Sequence, residues 1–204
     1  MTSPVISGTV VWSGDNPGIY LKDESGAWQT LAVYFRITTS PHGSGSGMVI
    51  LGAPAEASGW PASQNLCLHT NEPLMRWLAK DFLARFASFR GMAGLTSMAY
   101  VKADLCNTSG DGKTFYAESF SAAGITASMR WDQLGAPFAA DVPPAQSSTG
   151  EHRMLSVFVE AQQGSIRING APLGGKVIER DFLGRRMSTA FLAFSETWIT
   201  PSAQ

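Results

Sequence analysis

Charge is scarce in this sequence. Asp, Glu, Lys and Arg make up 15% of 204 residues, with 15 basic against 16 acidic side chains, where soluble domains typically carry about 25%. No dense Lys/Arg run occurs, which argues against a nucleic-acid partner held by phosphate neutralisation and against a polybasic membrane anchor. Long apolar runs are missing as well. Gly, Ser, Glu and Arg interrupt every hydrophobic stretch before the roughly 18 residues that a spanning helix needs, so a soluble chain with no membrane partner is expected. The first residues lack a basic stretch followed by an apolar one, which makes the cytoplasm the expected compartment. Cysteine is limited to Cys67 and Cys106. Without CxxC spacing they read as small buried hydrophobes in a reducing compartment. The three histidines, His42, His69 and His152, are too widely spaced for a common zinc site, so no metal is expected. The glycine-rich segment 42–47 lacks the Lys-Ser/Thr of a phosphate loop. Neither a G-x-S-x-G elbow nor an HExxH helix is present. No cofactor is implied.

What the sequence does contain is β structure. Its length suits one domain spanning 1–204, and its 44% hydrophobic residues come in short runs separated by turn residues. Strands are expected at 5–12, 19–22, 28–38, 48–51, 97–106, 113–121, 125–132, 154–161, 165–168, 176–179 and 187–199. Asn169-Gly170 is the strongest turn signal, because both residues tolerate the positive φ of a type I′ hairpin. One segment departs from this rhythm. Asn71-Glu72-Pro73 offers a cap, an acidic first turn and an early proline, and Leu74, Leu78, Phe82, Phe86 and Phe89 then recur at helical spacing, which predicts one long amphipathic helix over about 72–89. The segment 135–151, GAPFAADVPPAQSSTGE, has no periodicity and reads as a long loop of the kind that forms a lid or binding segment.

Many strands with one helix and no crossover helices favour a mainly β, single-domain antiparallel barrel or strongly curved sheet. Such an architecture resembles the lipocalin-like or calycin barrels by analogy of fold, although no family motif matches residue by residue. A curved sheet wrapped around the helix is the alternative.

Strand parity supplies the candidate site. Residues two apart share a face of a strand, so Glu118 lies with Tyr116 and Phe120, Glu160 with Phe158, and Glu196 with Phe194 and Trp198. An acid enclosed among rings must find hydrogen bonds or a cation, or its pKa rises. Each of these glutamates could equally be structural, and Glu196 could pair with Arg36 or Arg130. If functional, Glu196, Glu118 and Glu160 are the candidate acids and bases, with His69, at a strand end before the helix, as a proton-transfer residue. Arg85 falls within the helix's apolar stripe and would either pin the helix to a carboxylate of the sheet or hold an anionic ligand group. Arg180, Arg185 and Arg186 read as a solvated turn, or as a carboxylate or phosphate site if that turn lies at a barrel opening.

The 21 aromatic residues and these polar groups suit a small, partly apolar or aromatic ligand held in an enclosed cavity by Tyr116, Phe120, Phe158, Phe194, Trp198 and Arg85. Two alternatives fit the same residues. One is a cofactor-independent isomerase, cyclase, hydratase or hydrolase using buried glutamates. The other is an interaction module whose apolar faces meet in a homo-oligomer.

Overall fold

A computed structural model describes residues 6–202; Val5, the expected start of the first strand, lies outside them. The strands are β1 (Gly8–Asp15), β2 (Gly18–Lys22), β3 (Trp28–Thr39), β4 (Gly45–Leu51), β5 (Asn65–His69), β6 (Ala99–Lys102), β7 (Leu105–Gly110), β8 (Phe115–Ala122), β9 (Ile125–Leu134), β10 (Phe138–Val142), β11 (Arg153–Ile168), β12 (Ala171–Pro172), β13 (Glu179–Phe182), β14 (Arg185–Ser188) and β15 (Ala190–Pro201). Thirteen of them form one sheet in the order β6-β5-β4-β3-β1-β15-β11-β9-β8-β7, with β2 beside β3 and β15, and with β10 and β12 on β11; β13 and β14 form a separate hairpin. The β5–β6 pair is parallel, so the sheet is mixed.

The sheet curls but does not close as a barrel. Its two edge strands, β6 and β7, are successive segments of the chain and do not pair with each other. Between them the Ala103 N–H donates to the His69 carbonyl on one side and the Asp104 N–H to the Ser121 carbonyl on the other. Two residues therefore bring the ends of the sheet together without a continuous ladder. The expected barrel is corrected to a large curved sheet, and the calycin analogy goes no further than this curvature.

Along β2–β5 both faces of the sheet are covered, whereas β7 is exposed and β8 and β9 bury one face only. In β3, Ala32 and Tyr34 point into the curl, while Leu31, Val33, Phe35 and Ile37 point outward. Because both sets are buried, the strand reads as a continuous apolar run and not as an alternation. The inside of the curl is filled by Tyr34, Met48, Ile50, Phe120, Met129 and Trp131, each at most 2% exposed. The outer face carries a second core, against which α1 (Glu72–Asp81) and the segment after it pack.

The single long helix is also corrected. The Asn71 side chain caps α1 by accepting from the Leu74 N–H, as the sequence implies, but the helix stops at Asp81. A single 3₁₀ turn follows at Leu83–Arg85, and Phe86 is extended. The cause is tertiary. Phe82 packs edge-on to Trp12 and Trp198, Phe86 stacks on Trp198, and Phe89 meets Tyr20 edge-on, so the rings reach separate parts of the outer face that one straight helix would not serve together. The 135–151 loop likewise contains β10, which pairs with β11, and a 3₁₀ turn at Pro144–Gln146. Its small alanines give no hydrophobic alternation to read. The segments expected at 154–161 and 165–168 are one strand, β11, and the strand expected at 187–199 divides into β14 and β15. Asn169 and Gly170 do adopt positive φ, 50° and 79°, in the β11–β12 turn. Among the described residues no helix is long and apolar enough to cross a membrane.

Candidate functional site

The three glutamates are separated by the sheet. Glu118 points into the curl, Glu196 lines a cavity on the outer face, and Glu160 has its own partner. The parity reading fails at Ser195. That residue sits at φ 51° and forms a bulge, where β15 advances three residues from Phe194 to Thr197 while β11 advances two, from Val157 to Leu155. One extra residue flips every side chain beyond it to the other face. Leu192 and Phe194 accordingly pack with the inner core, whereas Trp198 belongs to the outer one and carries Glu196 with it. Phe194 lies half-buried, edge-on to Tyr116 at 5.5 Å.

Glu118 is saturated. It accepts from Arg36 Nη2 at 2.6 Å, from Thr108 Oγ1 at 2.9 Å and from the Tyr116 hydroxyl. Arg36 stands on β3 and Thr108 on β7, so this cluster ties opposite walls of the curl. Burial pushes the Glu118 carboxyl up from its ordinary range while Tyr116 and Arg36 hold it down. The arginine weighed as a partner for Glu196 thus belongs to Glu118, and Arg130 is engaged with Asp132. Phe120 meets Tyr34 across the curl. These contacts make Glu118, Tyr116 and Phe120 part of the fold. Glu160 accepts the Ser188 N–H at 2.6 Å, which fixes the end of β14 to β11.

Two other expected residues lie apart from this cavity. His69 ends β5, is 4% exposed, and has its Nε2 3.6 Å from Glu72; burial lowers its pKa, with Glu72 opposing. Arg85 is outside α1. It donates to Glu151 Oε1 and to the Thr149 carbonyl, both at 3.0 Å, and so straps the 135–151 segment to the turn after the helix. Cys67 is buried as expected, but Cys106 is exposed.

The cavity holds about 330 Å³, at the lower end of ligand-site sizes. It lies between the outer face of the sheet, the segment after α1, the 142–148 stretch and the β13–β14 hairpin. Tyr20, Phe86, Phe158, Phe182, Phe191 and Trp198 supply rings to its wall, and Asn16, Arg180 and Glu196 supply polar groups. Of the residues expected from sequence, Glu196, Phe158 and Trp198 meet here.

Glu196 is 3% exposed. Its Oε1 accepts from Trp198 Nε1 at 2.7 Å and from Asn16 Nδ2 at 3.3 Å. Burial dominates over these two hydrogen bonds and raises its pKa to about 7, so near neutral pH it is divided between acid and carboxylate. Asn16 Oδ1 is buried and has no partner among the described residues. Arg180 projects from β13 with its guanidinium carbon 5.4 Å from the Tyr20 ring centroid, 4.8 Å from Phe182 and 5.2 Å from Phe191. Its Nε is buried without a partner, and desolvation lowers its pKa, against a smaller opposing effect of Tyr20.

Sequence reasoning did not place Asn16, Tyr20, Phe86, Phe182 or Phe191 in the site. They come from the β1–β2 turn, β2, the segment after α1, the β13–β14 hairpin and the start of β15, and no local pattern joins them. Only the Arg180 cluster carried a signal, through its position in a charged turn.

Compared with protein-family models, with curated proteins and with solved structures, the chain matches none. The site is therefore read from its own geometry. Among the described residues no group of His, Cys, Asp and Glu is arranged to hold a metal ion.

Proposed function

We propose that the protein binds a small, partly apolar molecule with an aromatic or similarly flat body in the outer-face cavity. The observation that carries this reading is the cavity's combination of ring surface with buried polar atoms left unpaired by the protein, Asn16 Oδ1 and Arg180 Nε. Buried polar groups are ordinarily satisfied, and each orphan costs free energy that a ligand's hydrogen bond recovers. The rings supply most of the contact area, and Asn16 with Glu196 supplies a donor-acceptor pair that orients a hydroxyl or carbonyl.

The test is a thermal unfolding titration with 3-phenylpropan-1-ol. At a hundredfold excess over Kd, binding to the native state alone raises Tm by roughly 5 °C or more. Ser148 lies on the exposed rim of the cavity, and Ser148→Trp should occlude it and remove that rise without loss of fold. No rise in the native protein rejects this site, and the same rise in Ser148→Trp places the ligand elsewhere and rejects it too.

A second reading follows from one further observation. A carboxyl buried beside a cavity with a pKa near 7 is suited to exchange a proton at working pH. On this reading Glu196 is the acid or base of an isomerisation, hydration or hydrolysis on the bound molecule. Glu196→Gln then leaves binding within about threefold but removes turnover; turnover that survives the substitution rejects the catalytic role.

A further inference from the structure

Resting on the cavity described under Proposed function, we infer that its ligand is a singly charged organic acid whose carboxylate is anchored by Arg180. The three arginines of the hairpin behave differently. Arg186 is paired with Glu179 at 3.0 Å and lies 3.7 Å from Asp181. Arg185 lies over the Phe138 ring at 3.9 Å and lines a separate surface depression. Arg180 alone lines the aromatic cavity, and among the described residues its side chain joins no ion pair and donates no hydrogen bond. Arg180 is half-buried, but its Nε is shut off from water; a guanidinium N–H so placed without an acceptor is unfavourable, and attraction to ring faces offsets only part of that cost. Tyr20, Phe182 and Phe191 give Arg180 this ring environment, which leaves its buried Nε–H without an acceptor, beside terminal N–H groups that no group of the described residues accepts. Those N–H groups form the fork that a carboxylate accepts in two parallel hydrogen bonds.

Charge in the cavity decides between anions. Arg180 is its one basic residue, while Asp181 and Glu196 are its two acidic ones. A dianionic phosphate ester would meet a single cation and be repelled by both acids. A carboxylate neutralises Arg180 once and leaves the body of the ligand to the rings. The neutral end of the same ligand lies toward Asn16 and Glu196, whose unpaired oxygen and exchangeable proton suit a hydroxyl.

Calorimetric titration at pH 7 with four probes of one shape tests this: 3-phenylpropanoate, 3-phenylpropanamide, 3-phenylpropylammonium and 2-phenylethyl phosphate. The acid should bind at least about tenfold tighter than the amide, and the ammonium and phosphate should be weakest. Arg180→Met should lower affinity for the acid at least about tenfold, to near that for the amide, with a smaller loss for the amide, which loses one hydrogen bond and no ion pair. Arg180→Lys keeps the charge but removes the fork, and should cost the acid about threefold or more, which keeps the test decisive if the methionine variant does not fold. If the amide binds as tightly as the acid, if the phosphate binds tightest, or if the acid is indifferent to both substitutions, the anion anchor is wrong while the cavity stands. Absence of binding by all four probes overturns the cavity as a site and this inference with it.

Discussion

At the scale of single residues, the two buried glutamates show how one chemical group serves two purposes. Glu118 is held by a guanidinium, a hydroxyl from Thr108 and a phenol, all of which stabilise its charge. Glu118→Gln should cost about 2–4 kcal/mol of stability by leaving Arg36 without its close partner, less than for a wholly buried pair because Arg36 is 37% exposed; urea denaturation measures it. Glu196 has no cation among its hydrogen-bond partners. Its folded pKa of about 7 exceeds the ordinary 4.5, so the stabilising effect of its protonated form is complete below pH 4.5 and lost as pH rises to about 7. Above 4.5 the unfolded chain ionises first and is favoured. The loss totals on the order of 3 kcal/mol between those limits. Glu196→Gln has no such dependence, so stability of the native protein relative to the variant should fall by that amount between pH 4 and pH 8. A difference independent of pH rejects the raised pKa. Glu118 contributes in the same direction, and His69 and His152, whose pKa values burial lowers, in the opposite one; the comparison with the variant cancels all three.

At the scale of elements, the bulge in β15 decides where the site is. The sequence AFLAFSETWIT alternates evenly enough to suggest that Phe194, Glu196 and Trp198 share a face, and only the positive φ of Ser195 breaks that pattern. Serine gives little notice of such a conformation. Its N–H donates to Asp15 Oδ1 at 3.1 Å, so the neighbouring strand β1 fixes the bulge. Ser195→Gly should stabilise the fold by about 0.5 kcal/mol, because glycine takes positive φ without steric cost, and Ser195→Val should destabilise it by about 1–2 kcal/mol. Chemical unfolding of the two variants checks this, and equal stabilities would show that the backbone there carries no strain. The helix gives the opposite lesson about legibility. Its start, with Asn71 as cap and Pro73 in the first turn, is plain in the sequence. Its end at Asp81 is not, because the rings that continue the apolar spacing are drawn to Trp198 and Tyr20 individually.

At the scale of the whole molecule, the curled sheet separates a filled inner core from an outer core that leaves a cavity. The inner core holds the two halves of the sheet together. Trp131, fully buried there, also donates from Nε1 to the Gly18 carbonyl of β2 at 2.9 Å. The outer core is built from the sheet's other face and leaves the cavity between its parts. Trp131→Ala should therefore cost about 3–5 kcal/mol, whereas Phe182→Ala, on the half-buried hairpin, should cost about 1 kcal/mol and reduce affinity for 3-phenylpropan-1-ol at least about fivefold. Thermal unfolding and titration of both variants separate the two effects. A larger loss of stability from Phe182 than from Trp131 would reverse the assignment of the cores.

Composition and pattern by themselves settled that this chain is mainly β, where the tight Asn169-Gly170 turn falls, where the helix begins, and that Glu196 and Trp198 lie close together near a ring-rich surface. These are local facts, set by turn chemistry and by spacing along a few residues. Tertiary structure alone decided that the sheet curls without closing, that Glu118 and Glu196 lie on opposite faces, and that Asn16, Tyr20 and Arg180 meet Glu196 around one cavity. The reason is that a single inserted residue reverses a strand's faces, and that pairing between strands far apart in sequence is set by the packing of two cores at once, which no local run of residues encodes.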